Sequence, residues 1–133
     1  MATATPRRQP DTATLGPAGL KAAFNILEKW GCSLNEQLAI LSLPKATYYK
    51  YRNHPEKAQL DRDHLDRISY LLNIHASLNT VFDNPENRYG FMRMRNHNPY
   101  FSGKTPLEVI STGSLAALYE TFKRVDALRG AQW

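Results

Sequence analysis

Apolar positions in this chain recur at three- and four-residue steps and nowhere sustain an alternation, which predicts an all-α protein. Leu20, Ala23, Phe24, Leu27 and Trp30 mark a first helix that starts after Gly16-Pro17, and Gly31 ends it as a C-cap would. Residues 1–15 are small, polar and broken by Pro6 and Pro10, so they are expected to form a flexible arm. Ser33-Leu-Asn-Glu36 has the spacing of a capping box, and Leu34, Leu38 and Leu41 follow on one face of a short second helix. Ser42-Leu43-Pro44 breaks that helix. A third, over Lys45 to Asn53, ends before His54-Pro55.

From Asp61 the pattern lengthens. Leu65, Ile68, Leu72, Ile74, Leu78, Val81 and Phe82 predict a helix of about six turns, stopped at Asp83-Asn84-Pro85. Its wide apolar stripe is expected to pack on the N-terminal bundle and on a second surface, either the C-terminal part or another chain. Pro85 opens a further helix to about Met94, and 96–104 reads as a loop. Thr105-Pro106-Leu107-Glu108 repeats the capping-box spacing before a brief helix that Gly113 stops. Ser114 caps the last helix, whose core face is Leu115, Leu118, Phe122 and Val125, and Gly130 closes it before Ala131-Gln132-Trp133.

Composition narrows the function classes. In 133 residues, 17 Lys and Arg face 12 Asp and Glu, a net +5 that favours an anionic partner. The excess is N-terminal: residues 1–60 hold eight cations against four anions, and the remainder nine against eight. Cys32 is the single cysteine and cannot form an intramolecular disulfide, which suits a reducing compartment. With no signal-like stretch and no membrane span, the protein is expected to be cytoplasmic and free of membranes.

Two short helices joined by a tight turn, after a longer first helix, make a helix-turn-helix. Lys45, Thr47, Tyr48, Tyr49, Lys50, Tyr51 and Arg52 concentrate cations, hydroxyls and rings in its last helix, the mixture that grips phosphates and reaches base edges. The expected DNA contacts are Lys45, Thr47 and Tyr48 in the groove, Lys50 and Arg52 on phosphates, and Gln37 bracing the backbone. The other reading turns Tyr48 and Tyr51 inward as core aromatics and leaves the cations as a solvated face. Ser42 stands where such turns commonly carry Gly in a left-handed conformation.

The second half carries Leu65-Asp-Arg-Ile68, Phe82-Asp-Asn-Pro85, and Asn98-Pro-Tyr-Phe-Ser-Gly-Lys-Thr-Pro-Leu-Glu108 followed by Gly113. With these motifs, residues 17–133 resemble the Xre/MbcA/ParS antitoxin family. The resemblance implies an antitoxin of a type II toxin-antitoxin system that neutralises a RES-type, NAD-depleting toxin and represses its own operon by binding promoter DNA; a homodimer is expected because paired half-sites suit a helix-turn-helix. Arg88, Arg93 and Arg95, interleaved with Tyr89, Phe91, Met92 and Met94, form a toxin surface, a second DNA patch, or the basic edge of an amphipathic helix. Trp133 is a large apolar residue at the end of the chain, of the type enriched at binding hot spots. In the resembling family the antitoxin's C-terminal end can enter or cover the toxin's NAD cleft. Arg129, Gln132 and Trp133 then plug that cleft, or Trp133 packs on its own chain.

The resulting division is an arm at 1–15, a helix-turn-helix domain at 16–60, and a helical toxin-binding and dimerisation domain at 61–133. No enzymatic constellation stands out: His54, His64, His75 and His97 lie in different segments without ligand spacing, and Asp61-Arg-Asp63 opens like a calcium loop but has Asp66 at the glycine position. No metal, cofactor or catalytic residue is expected. The alternative function is a dimeric helix-turn-helix repressor with a C-terminal dimerisation or effector domain and no toxin partner.

Overall fold

The computed structural model describes residues 12 to 130. They form α1 (Thr12–Lys29), α2 (Leu34–Leu41), α3 (Lys45–Asn53), α4 (Arg62–Val81), α5 (Pro85–Gly90), α6 (Pro106–Ile110) and α7 (Leu115–Ala127), with no strand among the described residues. Short 3-10 turns at Pro55–Lys57, Phe91–Arg93 and Leu128–Gly130 complete the path.

Most boundaries follow the local chemistry of the sequence. Ser33 Oγ accepts from the Glu36 amide at 3.2 Å while Glu36 Oε1 accepts from the Ser33 amide at 2.8 Å, so the first capping box forms in full. At α6 only half of the expected box exists: Thr105 Oγ1 accepts from the Glu108 amide at 3.0 Å, and Glu108 points to solvent. Asp61, Asn84 and Ser114 cap α4, α5 and α7 in the same way. One start differs. α1 begins at Thr12, inside the segment expected to be an arm, and Pro17 lies within it, removing one early hydrogen bond without ending the helix.

One apolar core runs through the described residues. Leu20, Ala23, Phe24 and Leu27 of α1 and Trp30 just past its end are buried together with Ile68, Leu71, Ile74 and Leu78 of α4, Leu107 and Ile110 of α6, and Leu118 and Val125 of α7. Each such aliphatic or aromatic side chain contributes roughly 2 kcal/mol, against about 1 kcal/mol for a cap. Burial therefore sets the packing, and the caps set where each helix starts. α4 is the shared member, packing on α1, α2, α5 and α7.

Gly113 shows why the α6–α7 corner needs glycine. Its φ is +84°, and a Cβ there would come within 3.3 Å of the Ala39 carbonyl oxygen on α2.

Candidate functional site

α2 and α3 are joined by a tight turn at Ser42, Leu43 and Pro44. Ser42 takes the left-handed conformation, φ 54° and ψ 49°, that glycine would occupy at less cost. α4 holds this turn from behind: His64 Nε2 lies 3.1 Å from the Ser42 carbonyl oxygen, and Arg67 Nη1 donates to the Ile40 carbonyl at 3.2 Å. Arg67 is buried and its charge is matched by Asp63, 2.8 Å from Nε.

The aromatic residues of α3 divide between inside and outside. Tyr48 and Tyr51 are buried, whereas Tyr49 is 47% exposed. Tyr48 meets Phe24 edge to face and donates from its hydroxyl to Gln37 Oε1 at 2.7 Å, while Gln37 Nε2 donates to the Cys32 carbonyl at 3.2 Å. Tyr51 donates to the Gln59 carbonyl at 3.3 Å and accepts from the Gln59 amide at 3.1 Å. Two expected DNA contacts are therefore corrected. Gln37 and Tyr48 lie in the core, where each satisfies the other, and neither is presented to a duplex.

Arg52 has partners within the chain. It pairs with Glu28 of α1, and its guanidinium lies over the Phe24 ring at 5.1 Å and the Tyr48 ring at 5.9 Å, so it ties α3 to α1. Lys45 and Lys50 are exposed and form no ion pair among the described residues, and Thr47 is half-buried at the edge of their face. The first turn of α3 has Pro44 as N-cap and no side-chain cap. Its free amides and the positive end of the helix dipole are open to an anion. Ala46, Tyr49 and Asn53 are exposed as well; from sequence Tyr49 stands within the helix's mixture, but neither Ala46 nor Asn53 is singled out. The signal was present, because turning Tyr48 and Tyr51 inward leaves these three on the opposite face.

Of the arginines expected at a protein partner, Arg88 and Arg93 cap helices. Arg88 donates from Nε to the Phe82 carbonyl at 2.7 Å and from Nη2 to the Asp83 carbonyl at 2.9 Å, closing α4. Arg93 donates from Nε to the Trp30 carbonyl at 2.6 Å and from Nη2 to the Gly31 carbonyl, closing α1. Positive charge at the carbonyl end of a helix also complements its dipole. Arg88 and Arg93 thus have structural partners within the chain, while Arg95 is exposed, as is Met94 at 59%.

Arg129 sits in the 3-10 turn that follows α7. Its Nε is 2.7 Å from Asp126 Oδ1, which also accepts from Ser77 Oγ at 3.0 Å. Beside this chain of polar groups lies a cleft of about 170 Å³ between α4 and α7, lined by Asn73, Thr80, Phe122 and Arg129. Gln132 and Trp133 lie outside the described residues. On the same side of the molecule Tyr70 packs against Tyr119 and Phe122 at 5.5 and 5.9 Å, and Tyr119 is 40% exposed.

Two further clusters have structural explanations. Ligand atoms of Asp61, Asp63 and His64 come within 4.8 Å of one another, but these groups cap α4, pair with Arg67 and hold the Ser42 turn. The Cys32 thiol is pushed up to about 12 by burial, with the Glu36 carboxylate adding and Arg93 opposing, so it is a poor nucleophile. No described helix is long and apolar enough to cross a membrane.

Comparison with known proteins bears on both halves. A model described as the antitoxin Xre-like helix-turn-helix domain matches residues 9–73, and one described as the antitoxin Xre/MbcA/ParS C-terminal toxin-binding domain matches residues 77–130. The chain is also 29% identical over 115 residues to the uncharacterized protein y4oB of Sinorhizobium fredii (strain NBRC 101917 / NGR234), covering 86% of each. No solved structure matches significantly.

Proposed function

The chain belongs to the Xre antitoxin family, and we propose that it neutralises a RES-type, NAD-depleting toxin and represses its own operon. The observation that carries this reading is the pair of domain matches, the first ending at residue 73 and the second beginning at 77, both within α4. Antitoxin identity follows from the family; the toxin class, the operator and the mechanism of inhibition are the proposal.

Operator binding is assigned to the outward face of α3. Lys45 and Lys50 meet phosphates from the two sides of the helix, Thr47 lies at its edge, and the uncapped first turn adds amide donors for a phosphate oxygen. A second copy of the chain places a second α3 on the neighbouring half-site. The protein acts in the cytoplasm, and the catalysis in the complex is the toxin's.

Toxin inhibition is assigned to the C-terminal unit. The Ser77–Asp126–Arg129 contacts fix the end of α7 against α4 and so fix where the tail departs. From that point Gln132 and Trp133 enter the toxin's NAD cleft, the indole standing in for a flat cofactor ring, while Arg129 steers the tail and exposed Arg95 adds a cation to the surface.

Co-expression with the product of the adjacent reading frame, followed by affinity capture and an NAD assay, tests the proposal. A captured enzyme that depletes NAD alone and is silent in the complex is the expected result. Absence of any copurifying NAD-consuming partner would leave a repressor without a toxin. Deleting 131–133 is expected to release NAD depletion while keeping the complex, and full inhibition by the truncated protein would rule out the tail mechanism.

A further inference from the structure

The outward face of α3 carries a base preference, an inference that rests on the operator reading above. With Tyr48 and Tyr51 buried, Ala46, Tyr49 and Asn53 form an i, i+3, i+7 stripe along the centre of the opposite face, and all three are exposed. Lys45 and Lys50 lie at the margins of that stripe, on the sides that face the phosphate walls of a groove.

The chemistry of the stripe differs from that of a guanine reader. Guanine is most often read by an Arg fork, and the arginine of α3, Arg52, is held by Glu28 and by the Phe24 and Tyr48 rings. The Ala46 methyl and the Tyr49 ring are apolar, and the apolar group that the major groove offers is the C5 methyl of thymine. Asn53 has the paired donor and acceptor that match adenine N6 and N7.

Tyr49 is also held in place. Its ring meets that of Tyr48 edge to face at 5.4 Å, and Tyr48 is itself anchored on Gln37. A ring fixed in this way loses little freedom on meeting a base.

We propose that α3 reads an A·T-containing half-site, with Ala46 and Tyr49 against thymine C5 methyls and Asn53 on an adjacent adenine. The test selects sites from a random duplex pool with the full-length protein, then replaces the thymines of the selected site by uracil, which removes only the methyl. Each contacted methyl is expected to be worth about four-fold in affinity. Tyr49→Ala is expected to lose that penalty at its thymine, Tyr49→Phe to keep it, and Asn53→Ala to relax the adenine preference, with thermal melting used to verify that each variant is folded. A site with G·C pairs at its central positions, or a Tyr49→Ala protein that keeps the parent's full uracil penalty, overturns the inference alone. If the parent selects no duplex above a scrambled competitor, the operator reading fails and takes the inference with it.

Discussion

Arg93 Nε donates to the carbonyl oxygen of Trp30 at 2.6 Å, across 63 residues of sequence. The bond closes α1 with a side chain from the far half of the protein, at the point where Gly31 turns the chain toward α2. Arg93→Ala leaves the terminal carbonyls of α1 without their charged donor. It is expected to lower stability by about 1–3 kcal/mol, read as a lower urea midpoint at unchanged slope. Arg93→Lys recovers part of the loss, since an ammonium lacks the planar fork that reaches two carbonyls. An unchanged midpoint in Arg93→Ala would show that the cap carries no stability.

Tyr48 and Tyr49 are expected to fail differently. Tyr48→Phe removes the donor to Gln37 Oε1 and leaves a buried acceptor unsatisfied. Stability is expected to fall by about 1–2 kcal/mol, while DNA affinity per folded molecule stays constant. Tyr49→Phe leaves the melting temperature unchanged. Titrations of both variants with the selected duplex, alongside thermal unfolding, separate the two effects; loss of affinity in fully folded Tyr48→Phe would return Tyr48 to the groove.

The capping residues Ser33, Glu36, Thr105 and Ser114 were legible in the sequence because a cap is decided within four residues. The left-handed Ser42 was legible for the same reason. Spacing offered Tyr48 and Tyr51 as an inward pair but could not choose between that reading and Tyr48 in the groove, because the choice depends on Phe24 and Gln37 in other helices. The arginines were harder still. The sequence assigns Arg67 no role and presents Arg88 and Arg93 as part of a basic surface, yet each donates to a carbonyl in or just past the end of a helix, and for Arg67 and Arg93 that carbonyl lies 27 and 63 residues away. These arginines thus serve the fold, whereas Lys45 and Lys50, exposed and within the basic N-terminal half, are the more discriminating signal for an anionic partner.

That division gives a salt-dependence experiment. Lys50→Ala and Lys45→Ala are each expected to reduce the slope of log affinity against log salt by about 0.9, the value of one released phosphate contact. Arg52→Ala is expected to leave the slope unchanged and to lower the melting temperature instead, since its partners are Glu28 and two rings. A slope change in Arg52→Ala equal to that of Lys50→Ala would place Arg52 on the DNA.

Cys32 supplies a pH test. Its thiol is pushed up to about 12 by burial, above an ordinary value near 8.5, so the fold favours the protonated form. That contribution is complete below about pH 8.5 and is lost progressively as pH rises through the folded value. The native protein is expected to resist alkylation at neutral pH and to react at once when unfolded, and Cys32→Ala is expected to remove the alkaline decline in stability that this thiol causes. Rapid labelling of the folded protein at pH 7.5 would contradict the burial argument.

The turn at Ser42 hangs on His64 and Arg67, and the helix that carries them continues to Ser77, where it meets Asp126 of α7. A single α4 thus bears on the posture of α3 at one place and on the seating of α7 at another. Thermodynamic linkage then imposes a symmetry on the complex: by whatever factor a protein bound at the α7 end changes operator affinity, operator DNA changes the affinity for that protein by the same factor.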